Sequence, residues 1–180
     1  MDGQATPPDS VNGTAGTAIA VAMGYSHSCA MRAGGAVVCW GSHSYGESTP
    51  PDSVNGTVGT ASAIAAGDFF SCAIIAKFGG VLCWGYNVDG RATPPPEVDG
   101  TLGTASAISA SVANAHSCAI QAGSGAVVCW GVNSYGESTP PPELDGTAGA
   151  ASAIAAGTFY SCAVKAGSGT VVCWGYNTDG

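Results

Sequence analysis

The chain has 180 residues, of which 12 are acidic and only 4 are basic, so its formal net charge is −8. Phosphate backbones are bound by clustered Lys and Arg, and the composition therefore excludes nucleic acid as a partner and argues equally against anionic membrane surfaces. No run of about 18 apolar residues occurs in the sequence, so no membrane insertion is expected. The negative charge suits the solubility of a surface otherwise rich in Ala, Gly, Ser and Thr.

One pattern recurs four times: a strand with a cysteine, a glycine-rich turn and a second strand with a cysteine. The second cysteine falls at positions 39, 83, 129 and 173. A period near 45 residues matches a propeller blade or a two-helix repeat. Short β-branched and aromatic segments bounded by glycine, such as TVVCW at 170–174, favour strands. The sequence therefore predicts an all-β, β-propeller-type repeat, with units at approximately 3–46, 47–90, 91–136 and 137–180.

Each unit is predicted to form one blade of mainly three antiparallel strands. In the fourth unit we expect strands near Ala151–Ala156, Tyr160–Ala166 and Thr170–Tyr176, and a proline-rich connection joins successive units. Some segments recur only in alternate units, because SYGESTPP occurs at 44–51 and 134–141 and ASAIAAG at 61–67 and 151–157. Units one and three (A-type) thus alternate with units two and four (B-type), as duplication of a two-unit block would produce.

The eight cysteines are predicted to face each other in pairs across the hairpins. A two-residue turn at Gly167-Ser168 places Cys162 opposite Cys173, and the same register argument applies in the other units. Facing positions bring Cβ atoms within about 4.5–5.5 Å, near the range that a disulfide needs. Reduced structural cysteines and a metal site are the alternatives, although no C-x2-C zinc spacing occurs. The predicted disulfides are Cys29–Cys39, Cys72–Cys83, Cys118–Cys129 and Cys162–Cys173.

Four disulfides imply an oxidising compartment, so we expect an extracellular or cell-surface protein. Residues 1–25 lack a basic segment followed by an apolar core, so we expect no signal peptide within this sequence. The start, MDGQATPP, matches VDGRATPPP at 88–96, as expected for a segment of a longer array. Asn12 and Asn55 lie in N-G-T sequons, which suit N-glycosylation of a secreted protein.

The unit resembles the regulator-of-chromosome-condensation repeat, a β-propeller blade. The resemblance is carried by AIAAGTFYSCAVKAGSGTVVCWGYNTDG at 153–180, and it covers essentially the whole chain. Unit one departs from the pattern at Ser42–Ser44, and unit three has Ser111-Val112 where Ala-Gly is expected. The cysteine-containing version is similar to the branch found on extracellular proteins, and the TPPP link is similar to that of secreted propellers that inhibit β-lactamase.

The resemblance also bears on ring closure and partners. The family includes nuclear chromatin-binding nucleotide-exchange factors, but this chain lacks their basic surface. Seven blades are usual in the family, and four units alone would leave strand edges unpaired. An eight-blade ring of two chains, a strained four-blade ring and a segment of a longer array are the three possibilities.

Two groups of residues are candidates for packing and for binding. A tryptophan follows the second cysteine of each unit and therefore points to the opposite sheet face, where blade packing is expected and a sugar-stacking platform is the alternative. These tryptophans are Trp40, Trp84, Trp130 and Trp174. The loop between strands one and two is the candidate interaction surface, with filling of the space between blades as the alternative. Its residues are His27, Phe69, Phe70, His116, Phe159 and Tyr160.

No catalytic residues are predicted, because the sequence contains no G-x-S-x-G, H-E-x-x-H or phosphate-loop motif and no calcium-loop pattern. We therefore expect no enzyme activity, no cofactor and no metal. The sequence predicts a non-catalytic extracellular repeat module that binds another extracellular protein or a glycan, or assembles with itself. A structural building block of an extracellular filament, coat or appendage and a secreted enzyme inhibitor are the alternatives.

Overall fold

The computed structural model describes residues 3–178, which form twelve β-strands and two short 3-10 turns. Each repeat forms one three-stranded antiparallel sheet, which confirms the all-β prediction. Within the described residues, no helix is long and apolar enough to cross a membrane. The strands are β1 (Ala18–Met23), β2 (His27–Arg32) and β3 (Val37–Gly41) in blade 1; β4 (Ala61–Ala66), β5 (Phe70–Ile75) and β6 (Val81–Gly85) in blade 2; β7 (Ala105–Ala110), β8 (His116–Gln121) and β9 (Val127–Gly131) in blade 3; and β10 (Ala151–Ala156), β11 (Tyr160–Lys165) and β12 (Val171–Gly175) in blade 4.

Each hairpin has the register that places its two cysteines directly opposite each other. The turn is nevertheless wider than the two-residue turn expected from the sequence. The Lys165 amide donates to the Thr170 carbonyl at 2.8 Å, and the Gly169 amide donates to the Lys165 carbonyl at 3.0 Å. Gly167 and Gly169 have φ values of 82° and 72°, which glycine adopts without steric cost. The predicted pairing of the cysteines is unchanged, because the wider turn has one extra residue on each side of the two-residue turn.

Neighbouring blades stack through two different sheet faces. We call the face that carries the disulfide the front face, and the face that carries the tryptophan the back face. One buried cluster joins Cys72 and Ile74 on the front of blade 2 to Ala119 and Trp130 on the back of blade 3. Equivalent clusters join blade 1 to blade 2 and blade 3 to blade 4. Each front face therefore packs on the back face of the next blade.

The four blades form an open arc. Strands pack between consecutive blades, whereas blades 1 and 4 do not pack against each other within residues 3–178. The back face of blade 1 accordingly leaves Val21 66% and Met23 70% exposed, and the front face of blade 4 leaves Tyr160 49% and Val171 61% exposed. The arc thus ends in two uncovered apolar faces.

Candidate functional site: the loop face of the arc

One end of every blade gathers three chain segments. In each antiparallel blade the first strand ends, the second strand starts and the third strand ends at the same edge. We call this edge of the arc the loop face. The proline-rich connections lie at the opposite edge, which we call the turn face, where the connection around Gly56 approaches the hairpin residue Ala36. Aromatic side chains concentrate on the loop face.

A first aromatic cluster joins blades 1 and 2 on the loop face. The Tyr45 and Tyr86 ring centroids are 4.5 Å apart, and Phe69 lies 5.5 Å from Tyr45. Tyr25 packs edge-on against Phe69 at 5.9 Å. Tyr25 and Tyr45 are exposed, while Phe69 and Tyr86 are half-buried. The rings therefore hold one another in place and still present apolar edges and phenol groups to solvent.

A second aromatic cluster joins blades 3 and 4 in the same way. Tyr135 lies 4.9 Å from Tyr176 and 5.4 Å from Phe159, centroid to centroid. All three side chains are exposed. No ring corresponds to Tyr25, because the first loop of blade 3 is longer and places Asn114 at this position, where its amide donates to a Glu137 carboxylate oxygen at 2.7 Å.

The alternation of A-type and B-type units creates these clusters. A-type units carry a tyrosine just before the exit glycine (Tyr45, Tyr135), and B-type units carry one just after the third strand (Tyr86, Tyr176). The two tyrosines meet wherever a B-type blade follows an A-type blade. The aromatic clusters thus repeat once per two blades.

The junction between blades 2 and 3, where the order is reversed, is charged instead. Arg91 forms an ion pair with Asp89 at 2.9 Å and lies 3.9 Å from Asp68. Its guanidinium also stacks over the Tyr86 ring at 4.9 Å. Burial raises the pKa of Asp68, and the nearby Arg91 charge offsets only part of this rise. A cationic group therefore separates the two aromatic clusters.

The predicted interaction surface is only partly formed. Phe69 and Phe159 lie in the loops, as expected, but His27, Phe70 and His116 are the first residues of their second strands and are fully buried between blades. These three residues instead fill the space between blades, which was the alternative interpretation, because the alternation of the second strand directs them into the front face. Tyr160 has the same position in blade 4 and is exposed only because no following blade covers it.

Each buried histidine contacts a serine of the next blade. The Nε2 atom of His27 lies 2.8 Å from Ser71 Oγ, and His116 Nε2 lies 2.9 Å from Ser161 Oγ. Ser71 donates its only proton to the Glu47 carbonyl, so His27 donates from Nε2. The Nδ1 atoms of both histidines are buried and have no hydrogen-bond partner among residues 3–178. Burial lowers the pKa of both histidines, and the Glu47 and Glu137 carboxylates oppose this only in part.

The four tryptophans share one hydrogen-bonding role. Each indole N–H donates at 2.9 to 3.0 Å to the backbone carbonyl of the residue that follows the preceding exit glycine. Trp84 and Trp130 are buried between blades, whereas Trp40 and Trp174 are half-buried. The accepting residues are Gln4, Glu47, Arg91 and Glu137. The polar edge of each ring is thus occupied within its own unit.

Two fully buried carboxylates, those of Glu47 and Glu137, were not among the predicted site residues. Burial raises the pKa of Glu47, but hydrogen bonds from Ser42, its own amide and the Tyr45 amide, together with His27, bring it below the ordinary value. Glu137 is arranged in the same way, with Asn114 in place of Ser42. The shared sequence Y-G-E-S was the available signal, because it places the glutamate two residues after the tyrosine amide that it binds.

The remaining predicted residues lie away from the loop face. The four disulfides form as Cys29–Cys39, Cys72–Cys83, Cys118–Cys129 and Cys162–Cys173. No group of three or more potential metal ligands occurs among residues 3–178. Asn12 and Asn55 lie in the connections, where each side-chain amide donates to the aspartate three residues earlier at 3.0 Å.

Stacked three-stranded sheets joined face to face define this protein as a β-propeller. The family model of the regulator of chromosome condensation (RCC1) repeat matches residues 18–47 and 151–180. Together with the structural neighbours, these matches support an RCC1-type β-propeller, and each of the four blades contains one disulfide. No curated protein matches the sequence.

Several solved structures share the fold. The ectodomain of the Physcomitrella patens receptor kinase CR4 is 26% identical, with a TM-score of 0.69 over 90% of this chain and 42% of that one. The CRINKLY WD40 ectodomain of the Arabidopsis thaliana receptor kinase ACR4 is 27% identical, with a TM-score of 0.66 over 89% of this chain and 50% of that one. Yeast RCC1 (Prp20), solved with Kap60, is 18% identical with a TM-score of 0.69 over 94% of this chain and 46% of that one, and shows the fold alone. The chain thus spans about half the length of these proteins.

Proposed function

We propose that this chain is a non-catalytic extracellular propeller module that binds a protein or glycan ligand through its loop face. Four disulfides favour an oxidising compartment. The similarity to two receptor-kinase ectodomains at 26% and 27% identity supports the same placement. Rigid β-scaffolds commonly present their binding residues on loops at one edge.

The observation that carries this proposal is the pair of partly exposed aromatic clusters on one edge of the arc. Aromatic side chains supply large contact areas at low entropic cost, and they are enriched where partners bind. Here they are fixed by ring-to-ring packing before any ligand arrives. A preorganised surface loses less conformational entropy on binding. Between the clusters, the buried Arg91 guanidinium stacks over the Tyr86 ring and is paired with Asp89, which helps to fix this edge.

The experiment compares two double variants of the disulfide-intact protein. Phe69→Ala with Phe159→Ala removes one ring from each aromatic cluster, while Val58→Ala with Leu102→Ala removes exposed apolar side chains from the connections at the turn face. Each protein is applied to an array of glycans and to a panel of extracellular domains. Binding that the first variant loses by tenfold or more and the second retains supports the proposal. Equal losses in both variants, or none, contradict it.

A structural role is the second candidate, and a different observation favours it. The arc ends in two uncovered apolar faces, which Val21 and Met23 represent at one end and Val171 at the other. Faces of this kind suit assembly into larger arrays.

A further inference from the structure

The back-face side chains of the first strand of blade 1 are more apolar than those of the first strand of any other blade. The pairing of the first strand with the second strand has the same register in every blade, so the back-face positions of β1 can be matched to those of β4, β7 and β10. In each of the other three blades, the positions of Ile19, Val21 and Met23 are occupied by Ser, Ile and Ala, respectively. All three are exposed by more than 60%. End repeats of solenoid arrays instead carry a polar outer face, because solubility requires it.

The front face of blade 4 is also uncovered. Tyr160 and Val171 are exposed beside the Cys162–Cys173 disulfide, and Val164 is half-buried. In blade 2 the equivalent residues are Phe70, Ile74 and Val81, all of which are buried against blade 3. Tyr160, Cys173 and Trp174 also line an open concavity at this end of the arc.

The interface between blades 2 and 3 indicates which kind of face each of the two uncovered end faces can pack against. It places the front of a B-type blade on the back of an A-type blade, with Phe70 and Ala110 in one apolar cluster. Blade 4 is B-type and blade 1 is A-type, and Tyr160 and Met23 occupy the positions of Phe70 and Ala110. Blade 1 of a second molecule therefore continues the ABAB order without interruption.

We propose that the front face of blade 4 binds the back face of blade 1 of a second copy of this chain, head to tail. Such an interface is heterologous, so it either closes into a ring or extends as a filament. Closure by two copies into an eight-blade ring is expected, because one chain spans only 50% of the CRINKLY ectodomain and so supplies about half of a closed propeller. This pairing uses neither aromatic cluster and stands independently of the proposed ligand site.

The test uses light scattering after gel filtration on the oxidised protein and on two variants. Met23→Glu places a charge on the back face of blade 1, and Tyr160→Lys places the opposite charge on the front face of blade 4. Wild type is expected at twice the 17.5-kDa chain mass. Each variant alone is expected as a monomer, because its charge is desolvated in both interfaces of the ring. Leu102→Glu, on an exposed connection, is the control and is expected to remain dimeric.

Mixing the two variants separates head-to-tail pairing from every other arrangement. An equimolar mixture is expected to recover the dimer, since one of its interfaces is native and the other brings together the two introduced charges, which have opposite signs. A ladder of larger species in wild type would support the pairing and replace the ring by a filament. A wild-type monomer at all concentrations overturns the proposal. So does a dimer that Tyr160→Lys leaves intact, because it would show that the front face of blade 4 is not part of the interface.

Discussion

His27 Nε2 and Ser71 Oγ lie 2.8 Å apart across the boundary between blades 1 and 2. The same contact recurs between His116 and Ser161. Between blades 2 and 3 the histidine is replaced by Phe70, and the hydroxyl of Ser117 is buried with no hydrogen-bond partner among the described residues. The three interfaces therefore offer matched positions that differ in the hydrogen bonds of one serine hydroxyl.

The first prediction concerns the serines at these interfaces. Ser71→Ala removes bonds to His27 and to the Glu47 carbonyl, and each bond is worth about 1 kcal/mol. Ser117→Ala removes no bond and relieves a buried hydroxyl, so it is expected to be neutral or stabilising. Urea unfolding of the two single variants checks this order. Equal destabilisation by both variants would show that the Ser71 contacts contribute nothing.

The second prediction concerns pH. Burial lowers the pKa of His27 and His116 below the usual value of 6.5, so both histidines bind protons more readily in the unfolded chain. Their contribution to stability is complete above pH 6.5 and declines as the pH falls below that value. Glu47 and Glu137 also have lowered pKa values, and their contribution declines only as the pH falls below their usual value of 4.5.

A matched variant isolates the histidine contribution. His27→Phe with His116→Phe places at both sites the residue that blade 2 already has there. Thermal unfolding of this double variant should lose its pH dependence between about pH 7 and pH 5 and keep the acid-induced loss of stability at lower pH. An unchanged slope in the upper range would assign the effect to other groups.

The third prediction concerns the order in which the disulfides are reduced. Cys72 and Cys118 are fully buried under the next blade, whereas Cys173 is exposed. In the Met23→Glu variant, which is expected to be monomeric, dithiothreitol should therefore reduce Cys162–Cys173 first. Timed alkylation with peptide mass spectrometry measures the order. In the wild-type protein this bridge should become as resistant as the others, and simultaneous reduction of all four in the variant would contradict the assigned faces.

The fourth prediction concerns the two sequons. Asn12 is exposed and Asn55 is half-buried, and both lie in turns of the connections at the turn face. Secretion from a eukaryotic host should add glycans at both sites, which intact-mass analysis detects before and after glycosidase treatment. Thr14→Ala with Thr57→Ala is the control, because it removes both sequons and keeps the bonds from both asparagines to the aspartates three residues earlier. The control should fold normally and carry no N-glycan.

Much of each single blade was predictable from the sequence, whereas contacts between blades were not. Strand order, the ABAB alternation and the pairing of Cys162 with Cys173 follow from local patterns and register. The meeting of Tyr45 with Tyr86 depends on how two blades are placed, and no spacing within one unit encodes it. The sequence left open whether His27 lies on the loop surface or fills the space between blades. Its burial could not be predicted, because a shift of one residue at a strand start changes the face on which a side chain lies.

The direction of the front faces has a consequence for biogenesis. Each of the first three disulfides is covered by the blade that follows it in the sequence. The chain is synthesised from its amino terminus, so the blades fold in order. The cysteines of one blade are therefore accessible to an oxidoreductase only until the next blade packs over them. Each disulfide must therefore form before the next blade folds, and an incorrect bridge in an early blade becomes inaccessible once the following blade packs over it. Among residues 3–178, the bridge of blade 4 has no following blade over it, so it stays accessible to repair longer than the other three.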